Sequence, residues 1–453
     1  MADAASRLMT LAEELLGGPL PVRLRAWDGS EAGPPVARHR PSGEAPRTAP
    51  ADADGPVLIV RDRRALRRMI WKPGELGLAR AWVAGEIDVE GDLYELLDRL
   101  SGLLWDRGQE TRSLLDSLRD PALRAAARAL LRLAGPLPPP KPPVEEVQGR
   151  SGRRHSKRRD EQAISHHYDV GNDFYALVLG PSMVYSCAYW PDADAGATLE
   201  GAQHDKLDLI ARKLNLKEGD RLLDVGCGWG SMAVHAARTY GARVVGVTLS
   251  REQAAYARGR VADEGLADLV EIRVQDYRDV ADGPYDAVSS IGMAEHVGAV
   301  RYREYADTLY GLLKPGGRLL NHQISRRPEP DEDAYEIDAF IDAYVFPDGE
   351  LAPMGRTLTT LEDAGFEVRD VEALREHYAL TLRRWVANLE RDWDRAVRLT
   401  SPGRARIWRL YMAASAVSFE RNRIGVNQFL AVKTPAAGPS GTALRPRLWT
   451  EKA

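Results

Sequence analysis

Along the chain the apolar residues recur with two periods, and the switch between them divides it. Near the start, Pro21 to Trp27 and Val57 to Arg61 read as strands, and a polar, Gly/Pro-rich stretch between them reads as a loop. After Asp62 the period becomes helical. Leu66, Met69 and Ile70 recur at helical spacing, and so do Leu93, Leu96, Leu97 and Leu100. Ala122 to Leu133 is an amphipathic helix with Arg124, Arg128 and Arg132 on the face opposite Leu123, Leu130 and Leu133. From Arg221 onward short apolar runs alternate with helical ones. Strands are expected at 221–225, 243–247, 270–274, 285–290 and 318–324, and helices at 231–240, 251–264 and 302–313. Asn427 to Lys433 closes the series as a strand. Such alternation predicts an α/β fold with a mostly parallel sheet and helices on both faces.

Composition adds boundaries. A chain of 453 residues has room for two or three domains. Pro136-Leu-Pro-Pro-Pro-Lys-Pro-Pro143 cannot be helix and reads as a stiff linker. It runs into Arg150 to Arg159, where six of ten residues are Lys or Arg. This run is either a solvated linker or a patch for anionic lipid headgroups. The expected division is an N-terminal α+β accessory domain over 1–134, a Pro-rich and basic linker over 135–159, the α/β domain over 160–436, and a loose tail over 437–453.

Charge and cysteines exclude more than they assign. The net charge of -4 gives no bulk attraction to a polyanion, and no recognition module surrounds the basic run, so nucleic acid is not expected as a partner. Two cysteines, Cys187 and Cys227, rule out a disulfide-rich scaffold. No Cys/His spacing fits a zinc site, so no metal is expected. The absence of a signal sequence or a spanning apolar run predicts a cytoplasmic protein.

The clearest chemical signal is Leu222-Leu-Asp-Val-Gly-Cys-Gly-Trp-Gly230. A buried strand ends in Gly226, Gly228 and Gly230 and opens a helix, at the sheet edge where open α/β folds bind cofactors. The last glycine falls one residue early for the dinucleotide fingerprint. The loop resembles the S-adenosylmethionine loop of class I (Rossmann-like) methyltransferases. The next strand ends with Thr248, Ser250 and Gln253, and the third with Gln275 and Asp276, where an adenine amino group would want an acceptor. Each polar residue alone also suits a turn or cap, Ser250 before Arg251 in particular.

A longer set of stretches resembles the cyclopropane fatty acid synthase family. They are Ser165 to Phe174, Met183 to Trp190, Gly226 to Gly230, Val247 to Gln253, Gln275 to Arg278, Gly292 to Gly298, Tyr344 to Gly349 and His377 to Leu382. The resemblance implies S-adenosylmethionine as methyl donor and a bound bicarbonate ion as base. It implies methyl transfer to the cis double bond of an unsaturated phospholipid acyl chain, giving a cyclopropane. The bicarbonate cage carried over is Cys187, Glu295, His322, the Ile324 backbone and Tyr378. The cofactor contacts carried over are Tyr185, Ser186, Asp224, Gly226, Gly228, Thr248, Gln253 and Asp276; Gly230, Ser250 and Gln275 join them from the loop pattern. His166, His167 and Tyr168 are further candidates for the cofactor mouth. Ala294, where the family often has Phe, and the residues after Phe419 depart from the pattern and bear on the acyl pocket. Alternatives left open are a methylene-branched product with a separate reductase, a small-molecule methyltransferase, and a non-catalytic lipid-binding protein. A homodimer is allowed. With no spanning segment, an enzyme acting on lipid is expected to dock peripherally on the inner membrane leaflet, through Ala122 to Leu133 and through Arg153, Arg154, Lys157, Arg158 and Arg159.

Overall fold

The computed structural model describes residues 3–16, 18–34, 55–104, 121–135, 138–147, 154, 156, 157, 159, 170–191, 196–332 and 335–443. His166, His167, Tyr168, Arg153 and Arg158 lie outside them. The chain forms two compact units. The first is Met1–Val147 with Ser401–Val417, and the second is Gln148–Thr400 with Ser418–Ala453.

The first unit holds a small sheet in the order β2-β1-β3-β4, with β1 Arg23–Arg25, β2 Glu31–Ala32, β3 Val57–Val60 and β4 Ile87–Glu90. Among the described residues the Pro-rich stretch, from 138 onward, contains no helix, and it is anchored to this unit. Arg68 donates to the Lys141 carbonyl at 2.8 Å, and Arg80 holds Glu146 through a two-pronged pair at 2.7 and 2.6 Å. The helix Pro121–Ala134 forms as the periodicity predicts, with Arg128 and Arg132 exposed and Leu131 half-exposed.

The second unit is built on a sheet in the order β11-β12-β9-β8-β5-β6-β7. Its strands are β5 Arg221–Val225, β6 Arg243–Thr248, β7 Val270–Val274, β8 Tyr285–Ile291, β9 Leu313–Arg326, β11 Glu367–Ala373 and β12 Ile424–Val432; the short β10 Ala352–Pro353 pairs with β9. Neighbours from β7 to β9 run parallel, and β12 and β11 add antiparallel at the other edge. Alternation along each strand feeds two cores. Leu222, Val244, Ile272 and Leu320 pack on one face, and Leu223, Val245, Val288 and Leu319 on the other. Both faces are covered, so the strands read as continuous apolar runs.

The order of β5 to β8 places the site. From β5 the chain moves outward to β6 and β7, then returns to β8 on the other side of β5. The connections leaving β5 and β8 therefore diverge, and a crevice opens at the C-terminal ends of these strands.

Candidate active site

The crevice is lined from every strand end that meets it: Asp224 to Trp229 after β5, Val247 to Leu249 with Gln253 after β6, Gln275 to Arg278 after β7, and Ile291 to Met293 after β8. Met183 to Ser186 close it from the preceding segment. Of the expected cofactor contacts, Tyr185, Ser186, Asp224, Gly226, Gly228, Thr248, Gln253, Gln275 and Asp276 all face this one cleft. Gly230 and Ser250 do not line it. Gly230 is the left-handed N-cap of the helix Ser231–Tyr240, where a Cβ would stand 3.0 Å from that of Ala257. Ser250 caps the helix Arg251–Asp263, its hydroxyl accepting from the Gln253 N–H at 3.2 Å.

The glycine loop is bent for backbone approach. Gly226 and Gly228 have φ of 75° and 53°, a region costly for side chains with a Cβ. The N–H groups of Gly226 and Cys227 both donate to the Val247 carbonyl, which ties the loop to the end of β6. Asp224, just before it, is 2 % exposed. Its Oδ1 accepts from the Ser289 hydroxyl at 2.7 Å, while Oδ2 is buried with no partner among the described residues. Burial pushes this carboxyl up to about 6, against the pull of Ser289 and the Lys206 ammonium. A buried acceptor left without a partner in a cleft-lining residue suits the amino group of an amino-acid cofactor, and the glycine cradle suits the close backbone approach it needs.

The other polar contacts are held in place. Thr248 donates to Gln253 Oε1 at 3.0 Å. Asp276 forms a bidentate pair with Arg278, with contacts of 2.8 and 2.6 Å. Burial would raise this carboxyl, but the Arg278 hydrogen bonds win and hold it below the usual range. Any adenine amino group would share Asp276 with Arg278.

Lys206 lies at the cleft although the sequence reading did not single it out. It is fully buried, its ammonium donates to the Ser186 hydroxyl at 2.8 Å, and it lines the same cleft as Asp224. Burial lowers it to about 8, with Cys187 and Asp224 pulling the other way. The available signal was Lys206 and Lys213 seven residues apart, on the face that carries Leu209 and Ile210 of the helix Leu199–Leu214.

The five expected base-site residues do not line the open cleft. His322 and Ile324 lie on β9, and contacts tie Glu295 to it and link Cys187 and Tyr378 through Leu374 to its neighbour β12. Glu295 follows β8, and its Oε1 accepts from the Ile324 N–H at 2.7 Å. Ile324 pairs with Val426, whose carbonyl accepts from the Leu374 N–H at 2.8 Å. The Leu374 carbonyl accepts from the Tyr378 N–H at 3.1 Å and the Cys187 thiol at 3.6 Å. His322 lies two residues before Ile324 on β9 and shares its face. The Ile324 N–H is thus committed to Glu295, so it holds the carboxylate in place.

Two polar atoms in this group are sealed without a partner among the described residues: Glu295 Oε2 and His322 Nε2. Glu295 as a residue is only partly buried, yet its carboxylate is enclosed, and burial pushes it up to about 7 against the Ile324 hydrogen bond. His322 is 2 % exposed; burial, then Lys206 and Lys213, hold it well below the usual imidazole range, so it is neutral. Burial raises the Cys187 thiol, which stays protonated. Tyr378 packs on Phe419 and Trp385, with ring centres at 4.8 and 6.0 Å. The stripe Tyr378, Leu382, Trp385 and Leu389 is buried throughout, so its helical spacing serves the core as well.

The mycolic acid cyclopropane synthetase family matches this chain over residues 155–429. The chain is 43% identical over 438 residues to a probable fatty acid methyltransferase of Mycobacterium tuberculosis, spanning 95% of each protein. It is 39% identical over 269 residues to the cyclopropane-fatty-acyl-phospholipid synthase of Escherichia coli, spanning 59% of this chain and 67% of that one. Among solved structures, a mycolic acid cyclopropane synthase bound to S-adenosylhomocysteine and CTAB superposes with a TM-score of 0.56 at 34% identity, covering 60% of this chain and 97% of that one. The chain belongs to the cyclopropane synthase family and is an S-adenosylmethionine-dependent methyltransferase.

Proposed function

With that membership as premise, we propose that the protein methylates the cis double bond of an unsaturated phospholipid acyl chain and closes it to a cyclopropane. The reading is supported by two enclosed polar atoms without a partner among the described residues, Glu295 Oε2 on a carboxylate that the Ile324 N–H holds against β9, and His322 Nε2 on a neutral imidazole of β9 itself. Held by Asp224 and the Gly226–Gly228 backbone, S-adenosylmethionine would supply an electrophilic methyl to the alkene, whose π electrons would displace the sulfide and leave a positive charge on the acyl chain. Bicarbonate, held by Glu295, His322 and Tyr378, would supply a base small enough for an apolar site and able to take the proton that the new methyl loses on ring closure.

The chain's own residues have four tasks. Asp224 and the Gly226–Gly228 backbone bind and orient the donor. Glu295, held by Ile324, offers an acceptor for a proton or a hydrogen bond at Oε2. His322 and Tyr378 orient the base, and Cys187 stays a neutral thiol in its cage. The buried aromatic stripe from Tyr378 to Trp385 keeps out water, which would otherwise trap the cation as an alcohol. Loss of the proton from a neighbouring carbon would instead give a methylene-branched chain for a separate reductase. Among the described residues no helix is long and apolar enough to cross a membrane. The exposed Arg128 and Arg132 beside Leu131 then offer a peripheral contact to anionic lipid.

Expression in a host rich in monounsaturated phospholipid, followed by lipid mass spectrometry, tests this reading. Acyl chains that gain one CH2 and carry a cyclopropane ring are expected. Unchanged acyl chains, with methylation confined to headgroups or small molecules, would refute it.

A further inference from the structure

Behind His322 runs a line of buried polar groups that neither cofactor binding nor the base cage accounts for. His322 on β9 stands opposite Gln428 on β12 in register, and Gln428 is fully buried. Gln428 Nε2 lies 3.3 Å from His322 Nδ1. The Oε1 of the same amide accepts from Lys213 Nζ at 2.8 Å. Lys213, also fully buried, is held at 2.5 Å by Glu372 Oε2 and at 3.5 Å by Asp370 Oδ2, both on β11.

The donors in this line have only one consistent order. An ammonium donates and never accepts, so the amide oxygen must face Lys213. The amide NH2 then faces the ring, and it too can only donate. His322 Nδ1 must therefore be bare. A neutral imidazole carries one N–H, which is left to Nε2, the atom with no partner among the described residues. Turning the amide over would set NH2 against NH3+ in a site sealed from water. The Oε1/Nε2 assignment thus follows from Lys213 itself.

We propose that Gln428, oriented by Lys213, is a positioning residue that fixes His322 as its Nε2–H tautomer and so presents a hydrogen-bond donor to the anionic base held with Glu295. The proposal rests on the reading of His322 as part of the base site. It gives that site opposite polarities, an acceptor at Glu295 Oε2 and a donor at His322 Nε2. An ion carrying both a hydroxyl and bare oxygens needs both. Lys213 acts only through the amide, much as a buried carboxylate holds a histidine tautomer in hydrolases.

The measurement is 15N NMR of the histidine side chains in the full chain, with the His322 signals assigned by their loss in His322→Asn. The wild type is expected to show a pyridine-type Nδ1 and a pyrrole-type Nε2. In Gln428→Glu, nearly the same size, a carboxylate faces the ring and accepts from Nδ1–H, so Nδ1 becomes pyrrole-type. Turnover on vesicles of dioleoyl phosphatidylglycerol should fall by at least about tenfold. S-adenosylmethionine affinity by calorimetry should stay within about twofold, since the tautomer acts on the chemical step. Should Gln428→Glu fail to fold, Lys213→Met releases the amide, and signals of both tautomers are expected. A pyrrole-type Nδ1 in the wild type, or one unchanged tautomer in all three proteins, would overturn the proposal. An inverted tautomer with full turnover would instead remove His322 from the reaction, and the base-site reading would fail while the orientation by Gln428 stood.

Discussion

At the scale of single residues, the buried carboxylates divide the work of the site. Asp224 is held on one oxygen and open on the other, so its loss should be felt first in binding. Asp224→Ala is expected to weaken S-adenosylmethionine binding by about 2–3 kcal/mol, the worth of a hydrogen bond to a charged group, with the protein still folded. Calorimetry and a thermal melt check both halves. Glu295 should behave differently. Glu295→Gln keeps the size and the Ile324 hydrogen bond but removes the charge, so turnover should drop far more than cofactor affinity. Its pH signature has a definite sign. Burial raises Glu295 from an ordinary carboxylate value to about 7, so the folded chain binds this proton more tightly than the unfolded one. The stability this favours is full at pH below the unfolded value and is lost as pH rises to about 7. Glu295→Gln should therefore stabilise the unliganded protein at pH 8 by up to ~3 kcal/mol, and hardly at all at pH 4. Denaturant titrations at the two pH values read this directly. Equal effects at both would mean that the carboxylate is solvated.

At the scale of elements, the two helix-opening glycines of one loop should fail in different ways. Gly226 faces the cleft at φ 75°, and a Cβ there would first meet the Met293 side chain, at 3.4 Å, an ordinary van der Waals distance. Gly226→Val is expected to abolish cofactor binding for a stability cost near the 1–2 kcal/mol of a left-handed residue. Gly230 does not face the cleft, and its Cβ would press at 3.0 Å on Ala257 of the next helix. Gly230→Val should lower the melting temperature more than it lowers affinity in the protein that remains folded. The same loop shows what a single sequence can reveal. Strands β5 to β8 were legible because apolar runs bounded by glycine and charge are a local signal, and so was the Ser250 cap. Lys206, Lys213 and Gln428 were not. Each looks like an ordinary polar residue, and its burial follows from strands and helices that meet across more than 200 residues of chain, as Lys213 and Gln428 do. The helices Asn172–Leu179 and Leu199–Leu214 and the strand β11 were also missed: in Leu199–Leu214 the buried Gln203, Lys206 and Lys213 blur the periodicity, and in β11 no residue is buried enough to mark an apolar face.

At the scale of the whole molecule, the question is how the protein reaches a lipid. The basic run singled out in the sequence is partly spoken for. Arg159 holds Asp348 with two contacts of 2.6 and 2.8 Å, Arg154 stands 3.4 Å from the same carboxylate, and Lys157 pairs with Asp279 at 2.6 Å. Neutralising the run would break these pairs along with any lipid contact. The helix Pro121–Ala134 gives a cleaner test. Arg128→Gln with Arg132→Gln removes two exposed cations worth about 1 kcal/mol each near an anionic surface, so co-sedimentation with phosphatidylglycerol vesicles should fall and lose part of its salt dependence. Unchanged sedimentation would place docking elsewhere. The central claim, methyl transfer to an acyl-chain double bond, is tested most directly by following labelled methyl from S-adenosylmethionine into vesicles. Matched vesicles with dioleoyl and dipalmitoyl chains would be compared with the purified full chain. The account predicts label in the acyl chains of the unsaturated vesicles alone, lost in Glu295→Gln. Equal labelling of both vesicles, or label only in headgroups, would contradict it.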